Sequence, residues 1–222
     1  MREDICTIPV NEMFEPKDGC PICRMFNTIE ERMLDYITGA AMMEPDVREE
    51  TNKKGFCLEH YRKMFRDHGR LQLGLMLETH IAEFDTKNSK TLYNSINQGL
   101  ENCFVCEKIE WGFSRLISQI YRMYETEQEF RELFNSQPSF CIKHYKLLMD
   151  NANKKTMKKY HKEFAENLFK ITSRNLAELN KDLKLFAKMY DYNSDKNSPE
   201  FSGCKDSIER SIKFLTSQID IL

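Results

Sequence analysis

The sequence predicts an all-α protein, and three observations carry that prediction. Gly (8) and Pro (6) are scarce in 222 residues, too few for the many turns of a β fold. Apolar side chains return every three to four residues along several stretches, which is the period of a helix. One arrangement of cysteine and histidine is also written twice. Cys20-Pro-Ile-Cys23 is followed by Cys57-Leu-Glu-His60, and Cys103-Phe-Val-Cys106 by Cys141-Ile-Lys-His144.

Each element has its own warrant. Cys23 opens a helix with an apolar stripe of Met25, Phe26, Ile29, Met33, Leu34 and Ile37, ending near Gly39. A short helix starts near Pro45-Asp46, where proline suits a first helical turn. The next starts at the Cys57/His60 pair and runs on through Leu71, Leu75, Ile81 and Phe84, stopping in the polar stretch Asp85–Lys90. The pattern then repeats. Cys106 opens a helix with Ile109, Trp111, Phe113, Leu116, Ile117, Ile120 and Tyr124, and a short helix begins near Glu125-Thr126. The helix from Cys141 breaks around Asp150–Asn153. A longer one follows, with Tyr160, Phe164, Leu168, Ile171, Leu176, Leu179, Leu183, Phe186 and Tyr190 as the spine of the core or, alternatively, as a dimerising seam. Residues 191–203 have loop composition, and a last helix spans roughly 204–220 with Ile208, Ile212, Leu215 and Ile219 on one side.

Aligning the halves at an offset of 83 matches Cys20/Cys103, Cys23/Cys106, Arg32/Arg115, Arg48/Arg131, Glu49/Glu132 and Asn52/Asn135. After one inserted residue near Pro138, Phe56/Phe140, Cys57/Cys141, His60/His144 and Tyr61/Tyr145 coincide. An internal duplication explains this best. The expected organisation is a first helical unit over 1–90, a second over 91–190 that includes the long helix, and a loop and C-terminal helix over 191–222 packing on the core.

Two Cys-x2-Cys and two Cys-x2-His pairs make two Cys3His donor sets, the chemistry of a structural zinc site. The predicted ligands are Cys20, Cys23, Cys57, His60, Cys103, Cys106, Cys141 and His144. Residues i and i+3 at a helix start share one face, so two such starts enclose one ion. Arg24 and Glu107 stand where a β-turn knuckle carries glycine, which places all four pairs at helix N-termini. There the helix dipole favours thiolates. Whether Cys20/Cys23 joins Cys57/His60 or Cys141/His144 is open from sequence. So is an iron–sulfur cluster in place of zinc. A thioredoxin-type dithiol expects a βαβ setting and leaves Cys-x2-His unexplained, and haem attachment requires histidine directly after the second cysteine.

Cys6 and Cys204 match nothing and read as small buried hydrophobes. His68, His80 and His161 lack ligand spacing. Phe56/Phe140 and Tyr61/Tyr145 pack around the metal. Arg32/Arg115 and Arg48/Arg131 with Glu49/Glu132 read as buried ion pairs between helices, or as hydrogen-bond partners of the ligands.

The net charge of -2 argues against a general nucleic-acid or anionic-membrane binder. Residues 151–190 hold 10 Lys/Arg against 4 acids, a face that reads as solvated. The first residues lack an apolar signal core, and no window reaches the roughly 18–20 apolar residues of a membrane helix. A cytoplasmic location, where thiols stay reduced, is therefore expected.

The segments CPIC, GFCLEHY, CFVC and SFCIKHY resemble the bacterial family DUF6062 over nearly the whole chain. The resemblance implies the same eight ligand positions and no particular activity. No phosphate loop, nucleophile elbow or H-E-x-x-H is present. The function expected is a non-enzymatic protein with two structural zinc ions that acts through a protein partner. A homodimer through the 156–190 helix is one form of that partner. A redox or metal sensor is the alternative, and a nucleic-acid-binding zinc protein a weaker one.

Overall fold

A computed structural model describes residues 7–67, 69–100, 102–192, 195 and 198–217, the side chains of 98–100 excepted. Cys6, His68 and Ile219 lie outside the described residues. The described chain is helical, without strands. The helices are α1 (Ile8–Phe14), α2 (Pro21–Thr38), α3 (Pro45–Lys54), α4 (Leu58–Asp67), α5 (Arg70–Ala82), α6 (Ser89–Leu100), α7 (Phe104–Thr126), α8 (Gln128–Asn135), α9 (Ile142–Asn151), α10 (His161–Met189) and α11 (Ser207–Thr216). Short 3-10 turns cover Ala40–Met43 and Pro199–Phe201.

The chain folds into two compact units that do not coincide with the sequence repeats. One comprises residues 1–25 and 115–222, the other residues 26–114. The boundaries fall inside α2 and α7, so each Cys-x2-Cys helix contributes residues to both units.

In the first unit, α1 packs on α8, and α8, α9 and α11 pack on α10. Its centre is aromatic. Phe134 stacks on Phe140 with ring centroids 4.9 Å apart and meets Phe164 at 4.8 Å, Tyr124 at 5.2 Å and Phe14 at 5.8 Å. Phe14, Tyr124, Phe130, Phe134, Phe140 and Phe164 are all fully buried. Such offset and edge-on ring pairs add to what area burial alone contributes. Gln137 locks α1 in place, its side-chain amide donating to the carbonyl of Phe14 at 2.7 Å.

In the second unit, α3 packs on α5 and α6, and α4 on α5. The core is largely aliphatic, with Leu34, Ile37, Met64, Leu73, Met76, Val105 and Ile109 around Phe56 and Phe104.

Several expected elements shift. The helix from the Cys57/His60 pair does not run unbroken to Phe84: Gly69, with an extended ψ of 132, caps the start of α5. Leu71, Leu75 and Ile81 are exposed, and Leu73 and Met76 fill the core instead. Leu is abundant on both sides of α5, so the apolar period named the wrong face. Trp111 is likewise 61% exposed.

The long helix begins at His161, after turns over residues 154–160, rather than at 156. Phe164, Leu168, Ile171 and Leu179 are buried in it, whereas Leu176, Leu183 and Tyr190 are exposed. With Phe169 these three form an exposed row spaced by seven. In α11 the buried residues are Ser207 and Phe214, while Ile208 and Leu215 face solvent. The expected loop at 191–203 holds the buried Phe201, packed with Met189 and Cys204. Helices α1 and α6 had no sequence warrant.

Candidate metal centres

Four helices begin one residue after a cysteine. Cys20, Cys57, Cys103 and Cys141 immediately precede α2, α4, α7 and α9, and the second ligand of each pair stands three residues on, in the first turn. The backbone confirms that each cysteine closes its helix start. The carbonyls of Cys20, Cys57, Cys103 and Cys141 accept from the amides of Arg24, Tyr61, Glu107 and Tyr145 at 3.3, 3.0, 3.1 and 2.8 Å. All four pairs thus sit at helix N-termini, as the missing glycines implied.

The pairs combine across the repeats. Cys20, Cys23, Cys141 and His144 form centre I, in the first unit; Cys57, His60, Cys103 and Cys106 form centre II, in the second. Of the two pairings left open by the sequence, the shared one is found: each centre takes Cys-x2-Cys from one repeat and Cys-x2-His from the other. In each set the donor atoms lie within 4.8 Å of one another.

A tetrahedral zinc with bonds of about 2.3 Å to sulfur and about 2.0–2.1 Å to nitrogen sets sulfurs about 3.8 Å apart and sulfur about 3.6 Å from nitrogen. In centre I, Cys23 and Cys141 Sγ are 3.5 Å apart, and His144 Nδ1 lies 3.7, 3.3 and 3.1 Å from Cys20, Cys23 and Cys141. In centre II, Cys57 and Cys106 Sγ are 3.9 Å apart, and His60 Nδ1 lies 3.1, 3.2 and 3.5 Å from Cys57, Cys103 and Cys106. The donor sets fit a single tetrahedral ion.

Both imidazoles turn Nδ1 inward. In centre II the outer nitrogen is accounted for: His60 Nε2 donates to Glu30 Oε1 at 3.0 Å, and Lys63 Nζ holds Glu30 Oε2 at 2.5 Å. Glu30 is 8% exposed. A carboxylate behind a histidine ligand fixes its tautomer and raises its basicity. Sequence reasoning missed Glu30, although its position offered a signal. It stands four residues from both Phe26 and Leu34, an acid inside an apolar stripe.

Without an ion, crowding redistributes the protons. In centre I, hydrogen bonds from Cys20 and Cys23 drive the Cys141 thiol far down, while the same bond to Cys141 drives Cys23 up and burial pushes Cys20 up to about 12. In centre II, burial pushes Cys106 up to about 12. Burial acts on Cys103 the same way, but His60 and the amides of Cys106 and Cys57 outweigh it and bring the thiol to about 6. His60 rises to about 10, because its bonds to Cys103 and Glu30 outweigh desolvation. Burial would raise Glu30 too; the bonds from His60 and Lys63 hold it below its ordinary value.

Scaffolding differs between the centres. In centre II, the amide of Phe104 donates to the carbonyl of Gly55 at 3.0 Å, joining the approaches to the two ligand helices. Gly55 has φ +59, and a Cβ there would lie 2.6 Å from His80 Nε2. His80 is itself fixed by its 2.6 Å contact with the Asn52 carbonyl. In centre I, Leu179 and Phe214 pack with Cys141, and Cys20 and Cys23 lie against that cluster. The Ser217 hydroxyl lies 2.9 Å from Cys141 Sγ. Ser217 ends α11 in the left-handed region, with φ 63.

Two of the recurring arginines hold backbone carbonyls rather than the ligands. Arg48 donates to the Leu75 carbonyl at 2.7 Å and Arg131 to that of Tyr124 at 2.9 Å. Neither arginine forms the expected buried pair with Glu49 or Glu132, which instead meet Lys53 and Gln128 on the surface. Cys204 is buried, as expected.

The helical scaffold and its two clusters define an all-α protein with two potential Cys3His metal centres, their ligands exchanged between repeats. The chain matches the family of unknown function DUF6062 over residues 1–98 and 82–221, and it belongs to that family. No curated protein and no solved structure matched it. Among the described residues, no helix is long and apolar enough to cross a membrane.

Proposed function

We propose that this protein is a non-enzymatic zinc protein in which two Cys3His ions fix a helical scaffold that acts by engaging a protein partner. The carrying observation is the spacing of the donor atoms. All four in each set fall within 4.8 Å, the reach of one ion. A cluster of several irons assigns its outer ligands to different metal atoms and so spreads them further, which favours zinc over iron–sulfur. With four protein donors per ion no position is left for water, the mark of a structural rather than catalytic site. Zinc would supply cross-linking here: centre I joins residues up to 124 apart in sequence, and closing so long a loop restricts the unfolded chain.

For the partner, the support is exposed apolar surface. Leu58, Phe65, Leu71 and Tyr93 are each more than half exposed in the second unit. A second copy meeting along the row Phe169, Leu176, Leu183 and Tyr190 is the alternative, and light scattering of the purified protein separates a dimer from a monomer. The zinc reading is tested by elemental analysis and visible absorption of protein purified without oxygen. Two zinc per chain and no colour are expected; iron with acid-labile sulfide, or no metal, overturns it.

A further inference from the structure

Identical donor sets are covered differently, and the difference assigns them different work. We propose that centre II is a metal-exchange site, at which the sulfur of a thiol-bearing acceptor displaces Cys106, whereas centre I keeps its ion. The inference deepens the zinc reading above and rests on it.

Of the eight ligands, all among the described residues, Cys106 alone is exposed. Its sulfur lies 3.5 Å from His60 Nδ1 and 3.9 Å from Cys57 Sγ, distances that fit a shared ion, so it closes the donor set from the solvent side. The remaining donors are less exposed, and His60 is fixed by its buried bond to Glu30. Cys106 can therefore swing out while three donors stay. In centre I no ligand is exposed: Cys20 and Cys23 are half-buried, and Cys141 and His144 are buried. Cys141 is 3% exposed, packed by Leu179 and Phe214 and touched by the Ser217 hydroxyl, so a group displacing it must first lift α11.

The rim of centre II says what kind of acceptor fits. Lys54 pairs with Glu107 at 2.8 Å and with Glu50 at 3.5 Å, and Lys108 pairs with Glu50 at 3.0 Å. These charges balance, so the rim selects neither an anionic nor a cationic acceptor. Selection falls to ligand softness, and thiolate is the soft ligand that replaces thiolate. In the exchange the acceptor's sulfur–metal bond forms and that of Cys106 breaks. The proton lost by the incoming thiol is taken up by Cys106, and nothing is oxidised.

The test uses the full zinc-loaded chain. Zinc release to a colorimetric chelator is followed with no thiol, with a small monothiol, and with a peptide carrying a Cys-x2-Cys pair. In parallel, timed alkylation with N-ethylmaleimide is mapped by mass spectrometry. One equivalent should leave at least about tenfold faster than the other, as expected when one path needs local opening and the other does not. Thiol should accelerate the fast equivalent, and Cys106 should be alkylated first among the eight ligands. Acceleration by the peptide alone identifies a protein acceptor, and acceleration by both shows that a small thiol suffices. Two equivalents leaving at one rate, no acceleration by thiol, or first labelling in centre I overturns the proposal and leaves the zinc reading standing. A chain isolated without zinc overturns both.

Discussion

Centre I and centre II hold the same three sulfurs and one imidazole nitrogen at nearly the same spacing, yet one is roofed and the other open. The difference lies outside the motifs. After His144 the chain continues into α10 and α11, which bring Leu179, Phe214 and Ser217 onto Cys141. After His60 it continues into α5, which supports the centre from beneath: His80 packs under Gly55 while Cys106 faces solvent. A ligand motif thus specifies which ion can bind. What the following helices cover decides how readily the ion leaves.

That asymmetry predicts unequal costs for matching ligand substitutions. Cys141→Ser should lose one zinc and destabilise the protein by about 4 kcal/mol or more, the range in which metal loss and a disturbed core fall. Cys106→Ser should also lose one zinc, at no more than about half that cost, because the exposed residue leaves no buried gap. Denaturant unfolding with metal analysis measures both. Equal costs would mean that the cover on centre I contributes nothing beyond coordination.

The next largest effect belongs to centre II. Gly55→Ala places a methyl group 2.6 Å from His80 Nε2 at φ +59. With ψ -158 this backbone conformation is essentially reserved for glycine and costs an ordinary residue about 1–3 kcal/mol, and the clash displaces a ring that is anchored to Asn52. A loss of about 2–3 kcal/mol is expected, with weaker zinc binding at centre II and none of that weakening at centre I.

These two positions also show what a sequence can and cannot disclose. The eight ligands and their helix-start setting were legible because coordination chemistry fixes residue type and spacing locally. The pairing of centres was not, since within-repeat and between-repeat closure satisfy the same motif. Helix faces failed where composition was ambiguous. In α5, Leu71, Leu75 and Ile81 carry as convincing a stripe as the buried Leu73 and Met76, and only α3 and α4 packing against it chooses. Gly55 carried a local sign, a glycine directly after Lys53-Lys54 at a helix end, but its contact with His80, 25 residues away in the chain, did not show. Glu30 was visible as an acid in an apolar row, but its meaning required knowing that His60 lies opposite.

Glu30→Gln sharpens the contrast more gently. The amide keeps an acceptor for His60 Nε2 but removes the charge that raises the imidazole's basicity and pairs with Lys63. Loss of such a partner typically weakens metal binding about 10–100-fold. Competition with a calibrated chelator should show that loss at centre II and no change at centre I, with helicity by circular dichroism intact. Equal weakening at both centres would mean that Glu30 acts on the fold rather than on His60.

The smallest effect probes the roof of centre I. Ser217→Ala removes the hydroxyl from Cys141 Sγ while keeping a left-handed residue with a Cβ, so it isolates the hydrogen bond; about 1 kcal/mol is expected. Ser217→Gly removes the same hydroxyl but relieves the cost of φ 63, so its net stability change should be close to nil. Both variants nevertheless strip one contact from the covered sulfur, and both should speed zinc loss from centre I by a few-fold. Stability and exchange rate then move separately in the glycine variant. If its exchange rate stays at the parent value, Phe214 and Leu179 close centre I by burial alone, and the hydroxyl only positions the end of α11.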